Sequence, residues 1–170
     1  VRELPTLKGP FEVSDRVREF FITQAIQDFE TYRPSDLNIR LERLRHYIPG
    51  SDSRKLYETH AKRMEKLALE IGGRERHTSV LVVEPLTTHE NLKSFNQSRA
   101  DVVVETETAA GKKEVQHLSV TIGYRIVNYT EAELESTSPE MLRKIRNNPL
   151  GMEIIEYYAE RKLSPLVIER

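Results

Sequence analysis

The sequence predicts an α+β domain: three N-terminal helices packed on a curved antiparallel sheet, in a cone-like shape. Three observations carry this reading. Apolar residues recur every three or four positions as far as Ile71, and after Gly72-Gly73 the period changes to two. Around Leu118, Val120, Ile122, Tyr124 and Ile126 the alternation leaves one strand face wet, as in an antiparallel sheet covered by helices on one side. A length of 170 residues is enough for one well-filled core.

The elements follow in order. Residues 1–13, with Pro5, Gly9 and Pro10, read as an extended lead-in. Ser14 or Asp15 caps the first helix, whose stripe is Val17, Phe21, Ala25, Phe29 and Tyr32, widened by Phe20, Ile22 and Ile26. Pro34 ends it. A second helix starts at Ser35 or Asp36, with Leu37, Leu41, Leu44 and Ile48 on one face. Arg40, Arg43 and Arg45 lie opposite; Glu42 interrupts them and no aromatic residue is interleaved, so they read as a solvated face. Pro49-Gly50 turns the chain, and Ser51 or Ser53 caps a third helix with the stripe Leu56, His60, Met64, Leu67 and Ile71. Its mixed charges, Arg63 among them, read as a wet face. His60, alone on the apolar stripe, reads as a hydrogen-bonded core residue.

Val80, Leu81, Val82 and Val83 form a first strand ending at Pro85, and Val102, Val103 and Val104 begin a second. Gly111 is the left-handed residue of the hairpin into the third strand. Residues 131–135 are acidic, and Ser138-Pro139 starts a short basic helix. That helix must stop at Asn148, because Pro149 pushes the preceding residue out of the α region. Gly151 is free to take φ > 0, and Met152, Ile154, Ile155, Tyr157 and Tyr158 then read as a last strand. Asn148-Pro149-Leu150-Gly151 is therefore expected to be a structural turn that sets the entry of this strand and a candidate contact surface, with Leu150 pointing inward. Residues 14–162 read as a single domain and 163–170 as a tail.

Composition excludes several function classes. With 26 basic and 27 acidic residues the net charge is −1, so no global field attracts nucleic acid or an anionic membrane. The absence of Cys removes disulfides, thiolate metal sites and thiol catalysis. No apolar run reaches the roughly 20 residues that span a bilayer. A start at Val1 leads us to expect sequence upstream.

Chemistry is sparse. Phosphate-binding glycine loops, the G-x-S-x-G elbow and H-E-x-x-H do not occur, and the five His never share a ligand spacing. Asp101, Glu105 and Glu107 share a strand face, where solvation is the simpler reading than a cation site. Tyr124 and Asp101 are the candidates for an acid–base pair in the mouth of the cone; Tyr124 reads better as a core tyrosine. Inward positions are mostly apolar. No cofactor and no metal are expected.

The order of elements, the segment 37–49 leading into the helix of Leu56 to Gly73, and Asn148-Pro149-Leu150-Gly151 before the last strand resemble the TraE-like family of type IV secretion and conjugation machines, including those of integrative conjugative elements. The resemblance spans about residues 15–160. It implies a nuclear transport factor 2-like cone on the periplasmic side of the bacterial inner membrane, held by an N-terminal transmembrane helix upstream of residue 1. The role it implies is non-catalytic: a scaffold joining other subunits of the secretion channel, at most a weak homodimer, with no specific nucleic-acid binding. The rival readings are a small-molecule isomerase or hydrolase, or a ligand-binding domain, of the same cone fold.

Overall fold

A computed structural model describes residues 14–48, 54–72, 74–86, 95–107 and 110–162. The lead-in, the tail, the turn at Pro49-Gly50, the caps at Ser51 or Ser53 and most of the polar segment after the first strand lie outside these residues.

Ser14 opens α1 (Asp15–Glu30) by accepting a hydrogen bond from the Val17 amide at 3.3 Å. The buried stripe is Ile22, Ala25, Ile26 and Phe29, the i, i+3, i+4, i+7 pattern of a core-facing helix. This stripe is rotated from the expected one: Val17 and Phe20 are exposed, and the residues expected at its margin form its centre. α1 also stops four residues before Pro34. Tyr32 has left the helix to exchange two backbone hydrogen bonds with Arg76, at 3.0 and 2.8 Å.

In α2 (Leu37–Tyr47) the N-cap Asp36 makes no side-chain cap and instead accepts from Arg40 Nε at 3.1 Å. α3 (Arg54–Ile71) buries His60, Met64 and Ile71 and ends at Gly72, whose φ of +56° suits glycine.

The sheet has four strands in the order β1-β2-β3-β4, all antiparallel: β1 (Arg76–Leu86), β2 (Asn96–Glu107), β3 (Lys113–Ile126) and β4 (Met152–Arg161). β1 and β2 begin at Arg76 and Asn96, earlier than Val80 and Val102, because polar residues on the wet face hide the strand period there. Pro85 sits inside β1 rather than ending it, on an edge strand, the place in a sheet where proline is tolerated. Register shifts at Val80/Val82 and at Gly123/Tyr124 bend the sheet.

The fold class is the expected α+β one. α1 and the end of α2 lie on one sheet face, where Ile26, Phe29, Leu44 and Tyr47 meet Val102, Val104, Val120, Ile122, Met152 and Ile154. A smaller cluster of Tyr32, Met64 and Ile71 seats α3. Between β3 and β4 lie α4 (Glu131–Leu134), opened by a reciprocal Thr130–Glu133 capping box, and α5 (Pro139–Asn147).

Candidate functional site

The turn after α5 is built on one buried asparagine. Asn148 Nδ2 donates to the carbonyls of His46 at 3.1 Å and Met152 at 2.8 Å, while its Oδ1 accepts from the Met152 amide at 2.9 Å. Its own amide closes α5 on Lys144 O, and its carbonyl accepts from the Gly151 amide and the Tyr129 hydroxyl. A single side chain thus joins the end of α2 to the start of β4. Gly151 holds φ at +63° and its carbonyl accepts from the Val127 amide at 2.9 Å. Pro149 is exposed, and Leu150, expected to point inward, is only half-buried. The hollow beside the turn is about 30 Å³, room for a water and nothing larger. Any contact here is therefore made by the turn's surface.

These contacts set an expected outcome. Asn148→Ala takes a partner from two carbonyls and an amide at this buried point, and should lower unfolding stability by about 2–3 kcal/mol in a urea titration. Leu150→Ala should cost about 1 kcal/mol, as its side chain is partly in water.

The inward positions are less apolar than the sequence suggests. Asp28 and Glu30 flank Phe29 on the inner side of α1 and are buried. Asp28 accepts from Arg43 Nε at 2.9 Å, Arg43 Nη2 at 2.6 Å and Arg40 Nη1 at 3.0 Å. Arg40 and Arg43 are therefore not a solvated face; only Arg45 of the three stays exposed. Burial pushes the Asp28 carboxyl up, and the two guanidiniums offset this in part. Glu30 is fully enclosed and takes four hydrogen bonds: two from Arg63, at 3.2 and 2.7 Å, one from Arg76 at 2.8 Å and one from the Tyr157 hydroxyl at 2.8 Å. Burial works against its charge, yet Arg63 and Arg76 hold its carboxyl below the usual range. Arg63 also departs from the wet face expected for it.

Beside this network a cleft of about 370 Å³ opens between α3 and β4, lined by His60, Arg63, Arg76, Leu118, Tyr157 and Ala159 among others. Phe29 forms part of its wall, stacked on Tyr157 at 3.9 Å and met edge-on by His60. His60 is a core residue as expected, but among the described residues its Nε2 has no partner, in contrast to the hydrogen-bonded histidine expected. Burial, with Arg63 nearby, lowers its pKa to about 4. Its unfolded value is higher, near 6.5, so the unfolded chain binds the extra proton between these limits. Stability should consequently fall as pH drops through that window, by about 3 kcal/mol in all. Thermal unfolding of the parent and of His60→Leu between pH 7 and pH 4 reads this directly; the variant should lack that part of the acid loss.

Tyr124 and Asp101 do not form a pair. Tyr124 is buried in the core, whereas Asp101 lies on the opposite sheet face in an ion pair with Lys162. Glu105 is 3.8 Å from Lys113 on that same outer face. Among the described residues no three His, Asp or Glu gather as a metal site. None of the described helices is long and apolar enough to cross a membrane.

No family model matches the chain, and no curated protein matches its sequence. Solved structures do. A TrwG component of a type IV secretion system from Bartonella birtlesii superposes with a TM-score of 0.67 at 14% identity, over 89% of this chain and 95% of that one. VirB8 from Agrobacterium tumefaciens gives 0.67 at 11%, over 91% and 97%. The fold is that of the VirB8/TrwG domains of type IV secretion. A TraE protein matches as well, with a TM-score of 0.62 at 11% identity over 89% of this chain and 100% of that one. The resemblance to TraE-like proteins read from the sequence is thus matched by the three-dimensional fold.

Proposed function

We propose that this chain is the periplasmic domain of a non-catalytic assembly component of a type IV secretion or conjugative DNA-transfer machine. The observation that carries the reading is a shared fold that runs through about nine-tenths of this chain and nearly the whole of each VirB8/TrwG neighbour. The site chemistry points the same way. Glu30 spends its carboxylate on four donors, and Asp28 spends its own on two guanidiniums, so neither is free to act as a base.

In this reading the domain sits on the outer side of the inner membrane, tethered by a helix upstream of residue 1. It contacts other channel subunits through modest surfaces, among them the turn at Asn148-Pro149-Leu150-Gly151, and associates with itself weakly at most. It carries no cofactor and reads no DNA sequence; mixed charge over the whole chain suits a protein-binding surface better than a phosphate track. Deleting the gene in the bacterium that encodes it should abolish substrate transfer to recipient cells, and an ectopic copy should restore it.

A further inference from the structure

The cleft between α3 and β4 holds two polar atoms that the protein leaves unserved. Among the described residues, Arg76 Nε and His60 Nε2 are both buried without a hydrogen-bond partner, in two residues that line the cleft and are only 9% and 4% exposed. Unpaired buried groups of this kind are uncommon and costly. Arg76 Nε can only donate, so its partner must be an acceptor. Charge sharpens the requirement. Arg63 and Arg76 share the one carboxylate of Glu30, and Arg161 on the rim reaches Glu114 only at 4.0 Å, with both side chains largely exposed. The site is left with surplus positive charge, which favours an anion.

The shape of the opening says what carries that anion. Among the described residues β4 is the last strand of the sheet, paired with β3 on one side, and beyond Met152, whose N–H and C=O are taken by Asn148, its other edge offers a row of peptide N–H and C=O groups. Leu118↔Arg161, Val120↔Ala159 and Ile122↔Tyr157 are register partners, so Tyr157, Ala159 and Arg161 share the concave face with the core residues of β3. An extended chain laid along β4 would direct every second side chain to that same face, into the cleft. A free acid would satisfy Arg76 alone; a peptide strand satisfies Arg76 and the strand edge together.

We infer that this cleft receives an Asp or Glu side chain carried on an extended segment of a partner protein, which adds to the sheet along the free edge of β4. The inference rests on the assembly role proposed above and names the chemistry of one of its contacts. Its failure would leave the gene-deletion result standing, whereas a deletion without effect would remove the assembly role itself.

The test is a selection of displayed random peptides on the 170-residue chain, followed by binding and amide-exchange measurements on the enriched sequences. Enriched peptides should share one acidic residue with apolar residues two positions away. Changing that acid to its amide should weaken binding at least tenfold. Ala159→Trp, which fills the cleft from an exposed position, should do the same with an unchanged melting temperature, and Arg161→Glu should weaken binding further. Bound peptide should slow exchange of outward β4 amides. The inference is overturned if no peptide is enriched, if the acid proves dispensable, if Ala159→Trp binds like the parent, or if β4 amides gain no protection. It is equally overturned if 4-phenylbutyrate saturates the cleft while no peptide does, which would make this a small-molecule site.

Discussion

Glu30→Gln is expected to destabilise the domain by about 3–5 kcal/mol, the cost of removing one partner from a buried ion cluster. The amide keeps the shape of the side chain, so packing is not the issue. What remains is Arg76, largely buried, with its charge uncompensated; Arg63 is more exposed and can swing into water. The Tyr157 hydroxyl loses its carboxylate as well, and with it one tie between α1 and β4. Urea unfolding of the parent and the variant at neutral pH measures the difference, and a loss under about 1 kcal/mol would show that water reaches the cluster freely. The sign with pH follows from the depressed carboxyl. Its contribution is complete above the ordinary carboxylate range and is lost as pH falls through the lower, folded value.

Gly151→Val carries the other large effect. A Cβ at this position would lie 2.1 Å from the Val127 carbonyl oxygen, an atom fixed by the hydrogen-bonded backbone that joins residues 127 and 151. The left-handed φ adds about 1–2 kcal/mol for a residue with a side chain, and more for a branched one. A total of about 4 kcal/mol or more is expected, enough to unfold a marginal domain. Gly72→Ala supplies the comparison. Gly72 has nearly the same φ, +56° against +63°, but nothing lies within 4 Å of its Cβ position. Its substitution should cost only the conformational part, about 1–2 kcal/mol. If the two variants melt alike, the contact with Val127 is not what makes Gly151 necessary.

Much of the architecture was legible because it is written in period and punctuation. Alternation announced β3, the cap at Ser14 announced α1 and the Ser138-Pro139 pair announced α5, although Ser138 makes no side-chain cap, and Gly72, Gly111 and Gly151 all take a positive φ. The interior charges were not legible. Arg40, Arg43 and Arg63 sit at ordinary spacings for a wet helix face, and nothing in their own segments reveals a carboxylate beneath them. A signal did exist on α1: Asp28 and Glu30 bracket a core Phe in the last helical turn, where the helix dipole disfavours negative charge. Two acids placed against that preference imply cations from elsewhere. The capping box at Thr130–Glu133 was also readable as T-x-x-E, and marks the short helix α4 where an acidic stretch alone was seen. The cleft could not be read from sequence, since His60, Arg76 and Tyr157 reach it from three elements separated by long stretches of chain.

The most direct measurement of the assembly role is transfer efficiency in the encoding bacterium with Pro149→Asp in place of the native residue. Pro149 is the exposed member of the turn, and its replacement loosens only the unfolded chain and the local backbone, so the variant should lose no more than about 1 kcal/mol and still accumulate folded. A charged side chain on a contact surface should nonetheless lower transfer by tenfold or more. Normal transfer with this variant, together with normal transfer after deletion of the gene, would contradict a place for this chain in a secretion machine.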